Sequence, residues 1–186
     1  MFTNNFIKWT KLLFSGAEQS VVMVNGSSHP ILSPCIMNQS DTLGYFMIKA
    51  QCKEIATSQS SAYQNASGVY FGSGSTAETA DDYKLESPIT SGLTIQNQAS
   101  VNISYDSDGV YTAFAAFVVT NTSDAEITIR EVGLFGELAG KFSTSSASIY
   151  YRPCLLERQV LSDPITIAPG TSKLVTYKIT FNQTVV

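Results

Sequence analysis

The chain has 186 residues, of which 44% are hydrophobic and only 14% are charged, and its formal net charge is −4. This length fits one domain with one core, and a low charge content beside many Ser, Thr, Asn and Gln residues is typical of short strands rather than of solvated helices. The Lys and Arg residues are scattered without a basic run, which argues against binding to nucleic acid or to an anionic membrane.

Residues 1–16 predict a short amphipathic helix. Four large apolar side chains recur at spacings of four, three and four residues and so share one helical face: Phe2, Phe6, Trp9 and Leu13. Thr3 or Asn4 is a candidate cap, and Asn5 falls on the opposite, polar face. Because isolated helices shorter than about 12–15 residues are marginal, the apolar face must pack on the domain's own sheet or on a neighbouring subunit.

Residues 17–186 predict a single β domain. After Val21–Val24, the dipeptide Asn25-Gly26 predicts a tight hairpin turn with a return through Pro30. Further strands are predicted at residues 44–50, 68–71, 101–105, 110–120, 126–136, 155–170 and 174–181. Turn signals at intervals of about 8–15 residues predict an antiparallel β-sandwich, jelly-roll-like or immunoglobulin-like, with the helix before it.

One predicted strand changes its apolar face along its length. Ile127 and Ile129 share one face, whereas Val132 and Leu134 fall on the other. A β-bulge or a bend near Arg130–Glu131 would bring both pairs to one core.

The Gly-, Ser- and Asp-rich segment 72–91 predicts a long ordered loop. Its isolated apolar residues Tyr83, Leu85 and Ile89 are the predicted anchors, which contact either their own domain or a neighbouring subunit. The run Gly72-Ser-Gly-Ser-Thr76 lacks the Lys-Ser/Thr ending of a phosphate-binding loop, so we interpret it as a turn.

The sequence predicts no catalytic, cofactor or metal site. His29 is the only histidine and follows a predicted turn, and residues 106–109 lack the later ligands of a calcium loop. The odd number of cysteines predicts three free thiols, with a Cys35–Cys52 disulfide as the alternative beside a free Cys154. The longest apolar stretch is far shorter than the roughly 20 residues of a membrane span, and no basic signal sequence is evident. We therefore expect a soluble protein made in the cytoplasm.

Two rival functions remain open. Asp81, Asp82 and Glu157 offer a carboxylate pair of the kind that a hydrolase of a surface polymer uses, although any chain with 15 acidic residues offers such pairs by chance. Nine tyrosines supply flat amphipathic surface, which suits subunit interfaces and glycan-binding faces. Of these, Tyr150 and Tyr151 are interface candidates, because adjacent strand residues point to opposite faces.

The last third of the chain carries the most specific pattern. It reads Glu126-Ile-Thr-Ile-Arg-Glu-Val-Gly-Leu-Phe-Gly136, then Leu155-Leu-Glu-Arg-Gln-Val-Leu-Ser-Asp-Pro-Ile-Thr-Ile-Ala-Pro-Gly170, then Leu174-Val-Thr-Tyr-Lys-Ile-Thr-Phe181. This pattern resembles the closing strands of β-rich structural proteins in tailed-bacteriophage virions, with a weaker similarity at residues 68–76 and 81–89. The resemblance implies a virion protein that is present in several copies in the tail, collar or fibre apparatus, or else a head-decoration or head-fibre-attachment protein.

From the resemblance we expect a non-enzymatic protein, made in the host cytoplasm, that resides in the virion. Its expected partners are other copies of itself and other virion proteins, without nucleic acid or membrane. A carbohydrate-binding or adhesin module that binds a host glycan is the alternative.

Overall fold

The computed structural model describes residues 1–8, 19–31, 33–34, 50–52, 54, 68–97, 102–105, 110–141 and 150–182. Within these residues the protein is mainly β, as its composition predicts, with one short helical segment at residues 4–8. The strands in this part of the chain are β1 Gln19–Val22, β2 Ser28–Ile31, β3 Ser33–Pro34, β4 Ala50–Gln51, β5 Gly68–Gly72, β6 Leu93–Asn97, β7 Asn102–Tyr105, β8 Val110–Asn121, β9 Ile127–Lys141, β10 Tyr150–Ile167 and β11 Ser172–Asn182.

The N-terminal helix begins later than the apolar spacing predicts. Phe2 lies before it, in an isolated antiparallel bridge with Glu157 of β10. Phe2 is therefore not on a helical face, because its backbone pairs with a strand edge. The rings of Phe2 and Phe6 still stack, with centroids 4.5 Å apart. The rest of the predicted helix, residues 9–16 with Trp9 and Leu13, lies outside the described residues.

Asn5 does not face solvent as the helical pattern predicts. It is buried, and its side-chain amide donates to the carbonyl oxygen of Val22 and accepts from the backbone N–H of Val22, each at 2.7 Å. A polar side chain can be buried here because both ends of its amide are paired.

The larger sheet has five strands and is centred on β9. Its order is β10-β9-β5-β4, with β3 also pairing with β9. The two-residue β4 is parallel to β5, whereas β10, β5 and β3 are all antiparallel to β9. In β9 every residue from Glu131 to Gly136 is buried, so this part of the strand is covered on both faces.

The second sheet has four strands and is centred on β8. The strand β11 follows one edge of β8 along its whole length, and β6 and β7 share the other edge. In β11 the residues Val175, Tyr177 and Ile179 are buried while Thr176 and Lys178 between them are exposed. The strand predicted at residues 174–181 is confirmed, and all pairs in this sheet are antiparallel.

Both sheets contribute side chains to one hydrophobic cluster. Phe71 of β5 and Phe117 of β8 meet edge to face in it, with ring centroids 6.5 Å apart. Full burial of one such side chain is worth about 1.5–3 kcal/mol. A smaller cluster on the other face of β5 and β9 joins Val24, Tyr70, Leu85, Phe135 and Leu155.

The irregularity predicted near Arg130–Glu131 is confirmed. The register between β9 and β10 shifts between the pair Glu131–Val160 and the pair Ile129–Ile165. The additional residues are on β10, and at this point of β9 Ile129 and Val132 belong to the same core in spite of their opposite parity.

The predicted hairpin is also confirmed. The strands β1 and β2 pair antiparallel around Asn25-Gly26, and Gly26 has a φ of 82°. Residues with a Cβ rarely adopt this conformation, which explains the glycine.

Candidate functional site

The loop of residues 73–92 joins β5 to β6 and folds back along β5. Its two arms are joined by a hydrogen bond from Ser73 N to Ser87 O at 2.8 Å. The returning arm then pairs with β5, since Ile89 N donates to Phe71 O at 2.8 Å and Pro88 forms a bridge with Gly72. The loop therefore lies along β5 as a surface element.

A buried carboxylate holds the two arms of this loop. Glu131 of β9 has no exposed surface. Its Oε1 accepts hydrogen bonds from Gly74 N at 3.2 Å and Ser87 N at 2.8 Å. Its Oε2 accepts from Glu86 N at 3.1 Å and from Arg158 Nε at 2.8 Å. Four donors offset the desolvation of the charge, which would otherwise cost several kcal/mol.

The glycines of the loop allow its backbone to approach this carboxylate. A Cβ added at Gly72 would lie 2.4 Å from Glu131 Oε1, and one at Gly74 would lie 2.6 Å from the same atom. The sequence predicts only a turn here. The structure shows that one N–H of the Gly-rich run, that of Gly74, donates to the Glu131 carboxylate, and that the other two backbone donors are Glu86 and Ser87 on the returning arm.

Arg158 of β10 completes the site. Its guanidinium donates to Asp82 Oδ2 at 2.9 Å and to Thr76 O at 3.1 Å, and it lies 3.6 Å from Glu86 Oε2. Burial alone would disfavour the charged form, but the hydrogen bonds to Asp82 and Glu131 outweigh it and raise the pKa of Arg158. We call Glu131, Arg158, Asp82 and Glu86 the loop clamp.

The two outer carboxylates of the loop clamp are also held by the loop itself. Burial would raise the pKa of Asp82, but hydrogen bonds from Thr79 and Arg158 lower it below its ordinary value. Hydrogen bonds from the backbone N–H and the hydroxyl of Thr76, at 2.8 and 2.7 Å, lower the pKa of Glu86. Both side chains are therefore stabilised in their charged forms.

Leu85 is the apolar anchor of the loop. It is 1% exposed and belongs to the smaller hydrophobic cluster, against Phe135 of β9. Gly133 provides the space, because a Cβ there would lie 2.8 Å from Leu85 Cδ2. Thus Leu85 packs on its own domain, which is one of the two placements that the sequence allows.

The other two predicted anchors are less buried. Ile89 packs against the main hydrophobic cluster and is partly buried. Tyr83 is half-buried near Gly26 of the hairpin turn, and Lys84 Nζ lies 5.7 Å from the centre of its ring. Tyr83 therefore keeps part of its ring on the surface.

Tyr150 and Tyr151, the predicted interface pair, lie at the start of β10. They pair with Gly140 and Ala139 of β9. Their side chains lie outside the described structure, so their role at an interface stays a prediction.

A partly buried polar contact links the two sheets. The hydroxyl of Tyr177 on β11 donates to Oε2 of Glu157 on β10. Burial, and then the charge of Glu157, raise the pKa of Tyr177 above its ordinary value. This contact lies next to the bridge between Phe2 and Glu157, so one residue of β10 joins the second sheet to the N-terminal segment.

The carboxylates that suggested a hydrolase are occupied by structural contacts. Asp82 belongs to the loop clamp, Glu157 contacts Tyr177, and Asp81 accepts a hydrogen bond from the side chain of Asn4 at 2.8 Å. Within the described residues, no three His, Cys, Asp or Glu side chains are grouped to bind a metal ion. Residues 106–109 lie outside that part of the chain.

Two of the three cysteines are described, and Cys52 is a free thiol. Cys154 is buried, and Cys52 is half-buried with a pKa that burial raises. The alternative of a Cys35–Cys52 disulfide is not formed, because Cys52 is free; Cys35 itself lies outside the described residues.

The two most specific motifs of the chain meet in the loop clamp. The segment Glu131–Gly136 supplies the carboxylate, the space for Leu85 and the aromatic residue Phe135. The segment Leu155–Arg158 on the neighbouring strand supplies the guanidinium. Their residue types are therefore explained by one task, which is to hold the loop on the sheet.

Sequence reasoning did not identify Glu131, Arg158 or Asn5 as key residues. A signal existed for the first two, because each is a charged residue within an apolar strand run. No local signal indicated Asn5, since its partners are more than ten residues away along the chain.

Comparisons of the chain with protein-family models, with curated proteins and with solved structures find no match. A search of the described part of the chain finds no helix with the length and hydropathy needed to cross a membrane.

Proposed function

We propose that this chain is a non-enzymatic structural protein of a tailed-bacteriophage virion, present in several copies in the tail, collar or fibre apparatus. The observation that carries the proposal is the loop clamp. Its two central residues, Glu131 and Arg158, belong to the motifs that resemble virion proteins, and they hold a surface loop in one conformation. Such an ordered loop is suited to repeated contacts with a partner, because little conformational entropy is lost on binding.

We also infer that the two sheets pack face to face as an antiparallel sandwich. The main hydrophobic cluster supports this arrangement, because it contains residues of β5 and β9 from one sheet and of β8 and β11 from the other. Within the described residues β11 is an edge strand. Strand edges are sites at which another protein chain can pair.

The loop supplies the proposed contact surface. Most residues of the loop are exposed, namely Ser73, Ser75, Thr76, Ala77, Thr79, Asp81, Lys84, Glu86, Ser87, Pro88, Thr90 and Ser91. A stable contact buries at least about 1,000 Å² in total, so the loop and an adjacent strand edge would act together.

The alternative within this class is a head-decoration or head-fibre-attachment protein. It would differ from a tail, collar or fibre protein in its position on the particle. The second candidate class is a glycan-binding module, which the partly exposed ring of Tyr83 beside Lys84 favours. A glycan array with the wild-type protein and a Tyr83→Ala variant separates the two classes, since a scaffold binds no glycan.

The decisive experiment is to express the tagged chain in cells that produce the phage particle and to purify particles by density gradient. Mass spectrometry should find the chain in the particles at a constant copy number. A chain that remains in the soluble fraction, and that binds neither itself nor any virion protein, would refute the proposal.

A matched pair of charge reversals tests the loop surface. Lys84 is exposed on the loop, and Arg130 is exposed on β9 and is not a member of the loop clamp. Lys84→Glu should reduce incorporation into particles with unchanged thermal stability, whereas Arg130→Glu should change neither. Equal incorporation of both variants would show that the loop is not the contact surface.

A further inference from the structure

Residues 1–8, which we call the N-terminal segment, pair with the free edge of β10. Arg158 N donates to Met1 O at 3.0 Å, and Thr3 N donates to Leu156 O at 2.9 Å. Phe2 between them forms an antiparallel bridge with Glu157. The segment thus adds a short strand to the five-stranded sheet, on the side of β10 that β9 does not use.

The side chains of the segment satisfy buried backbone groups of the domain. Thr3 has no exposed surface, and its hydroxyl donates to Leu155 O at 2.7 Å. Asn5 is 3% exposed and pairs with both backbone groups of Val22. Loss of these partners would leave buried polar groups unpaired, which costs about 1–3 kcal/mol for each group. The edge of β10 and Val22 therefore form a specific docking site for this segment.

A third contact attaches the segment to the loop. Asn4 N donates to Ala80 O at 2.8 Å, beside the contact between the Asn4 side chain and Asp81. The docking site is consequently formed by three separate parts of the domain: residues 155–158 of β10, Val22 of β1, and residues 80–81 of the loop.

We propose that in the assembled protein this docking site receives the N-terminal segment of a neighbouring copy, so that copies are joined by exchange of residues 1–8. The inference rests on the proposed multi-copy role, because exchange requires neighbours with the same sequence. Every contact described above is preserved on exchange, since an identical segment supplies identical groups.

The length of the connection to the rest of the chain sets the greatest distance over which copies could exchange the segment. Residues 9–18 separate the segment from β1, and ten residues can span up to about 33–36 Å when extended. In a particle, neighbouring copies are held at high effective concentration, which lets the exchanged form compete with the internal one.

The exposed hydrophobic side chains of the segment also favour a contact with a second copy. The described residues include three exposed large hydrophobic side chains, and two of them, Met1 and Ile7, lie on this segment. Two segments that cross between adjacent copies would cover these side chains, which a single copy leaves 53% exposed.

The test uses two variants that each carry half of a cross-link. Phe2 and Glu157 are cross-strand partners, and such pairs have Cα separations of about 4.5–5.5 Å, within the range of a disulfide. One preparation carries Phe2→Cys and the other carries Glu157→Cys. They are unfolded together, refolded as a mixture, oxidised and mapped by mass spectrometry. No single chain contains both new cysteines, so a linkage between positions 2 and 157 reports exchange alone.

We expect this linkage in a covalent dimer, in a yield that rises with protein concentration. A Leu174→Cys preparation, which has its cysteine at an exposed position elsewhere, should give at least about tenfold less linkage to position 2. The double variant Phe2→Cys/Glu157→Cys should form the same linkage within one chain at low concentration. An internal linkage without any linkage in the mixture would refute exchange, and a double variant that forms no linkage would refute the docking contact itself.

The exchange and the virion role can each be refuted without the other. Particles that contain the protein without the linkage between copies would refute the exchange and leave the virion role intact. Linkage in the purified protein, together with absence from particles, would do the reverse.

Discussion

Replacement of Glu131 by Gln tests the loop clamp most directly. The carboxylate accepts four hydrogen bonds, and an amide has only one acceptor oxygen. In either orientation of the Gln side chain, the NH₂ group lies against two of the four donors. Arg158 also keeps its buried charge and loses its most buried partner. Removal of one member of a buried ion pair costs about 3–5 kcal/mol, and we expect a loss of that size for Glu131→Gln.

Urea unfolding measures this loss, and hydrogen exchange locates it. The backbone amides of Gly74, Glu86 and Ser87 donate to the carboxylate, so their protection should fall the most. Glu126→Gln is the matched control, because Glu126 is exposed just before β9 and should change stability by less than about 0.5 kcal/mol.

A double-mutant cycle separates the pair from its surroundings. Arg158→Met should destabilise the wild type more than it destabilises the Glu131→Gln variant, with a coupling energy of about 0.5–3 kcal/mol. A loss below about 1 kcal/mol for Glu131→Gln, with unchanged protection of the three amides, would show that the clamp does not hold the loop.

Three further predictions concern the loop and the contact between the sheets. Leu85→Ala should lower the free energy of unfolding by about 2–5 kcal/mol in urea titrations, whereas Leu174→Ala, at a residue 67% exposed, should change it by less than about 0.5 kcal/mol. Because the pKa of Tyr177 is raised in the folded state, the wild type should lose stability as the pH rises above about 10. Tyr177→Phe should make this loss of stability with pH less steep in thermal melts at alkaline pH, and an equally steep loss would contradict the role of the Tyr177 hydroxyl. Because the folded pKa of Asp82 is lowered, its contribution is present above about pH 4 and is lost as the pH falls further; Asp82→Asn should flatten the acid side of the stability curve, and an equally steep curve would refute its role.

Local patterns in the sequence predict much of the sheet structure. The strands predicted at residues 110–120 and 174–181 and the turn at Asn25-Gly26 are all confirmed, because each depends on residues that are neighbours in the chain. The change of apolar face at Ile129–Val132 likewise predicts the register shift, since strand residues alternate between two faces.

The N-terminal segment shows the limit of such patterns. Its helical spacing predicts that Phe2 lies on a helical face and that Asn5 faces solvent, and both predictions are wrong. The edge of β10 offers backbone partners to residues 1–3, and Val22 offers two to Asn5. These partners override the local preference for helix at residues 1–3, which is worth little over so few residues.

The apolar part of the candidate site is visible in the sequence, and the polar part is not. Leu85 is predicted as a loop anchor because it is an isolated apolar residue in a polar segment, and it is buried as that pattern indicates. Glu131 and Arg158 are 27 positions apart, and the loop that they hold is more than 40 positions from Glu131. Alternation in the sequence predicts which face of a strand a residue occupies. A buried charge, however, is stable only where hydrogen-bond donors from distant segments reach it. The pairing of β9 with β10 and the path of the loop across these two strands bring the donors to the carboxylate. Only the tertiary structure specifies both.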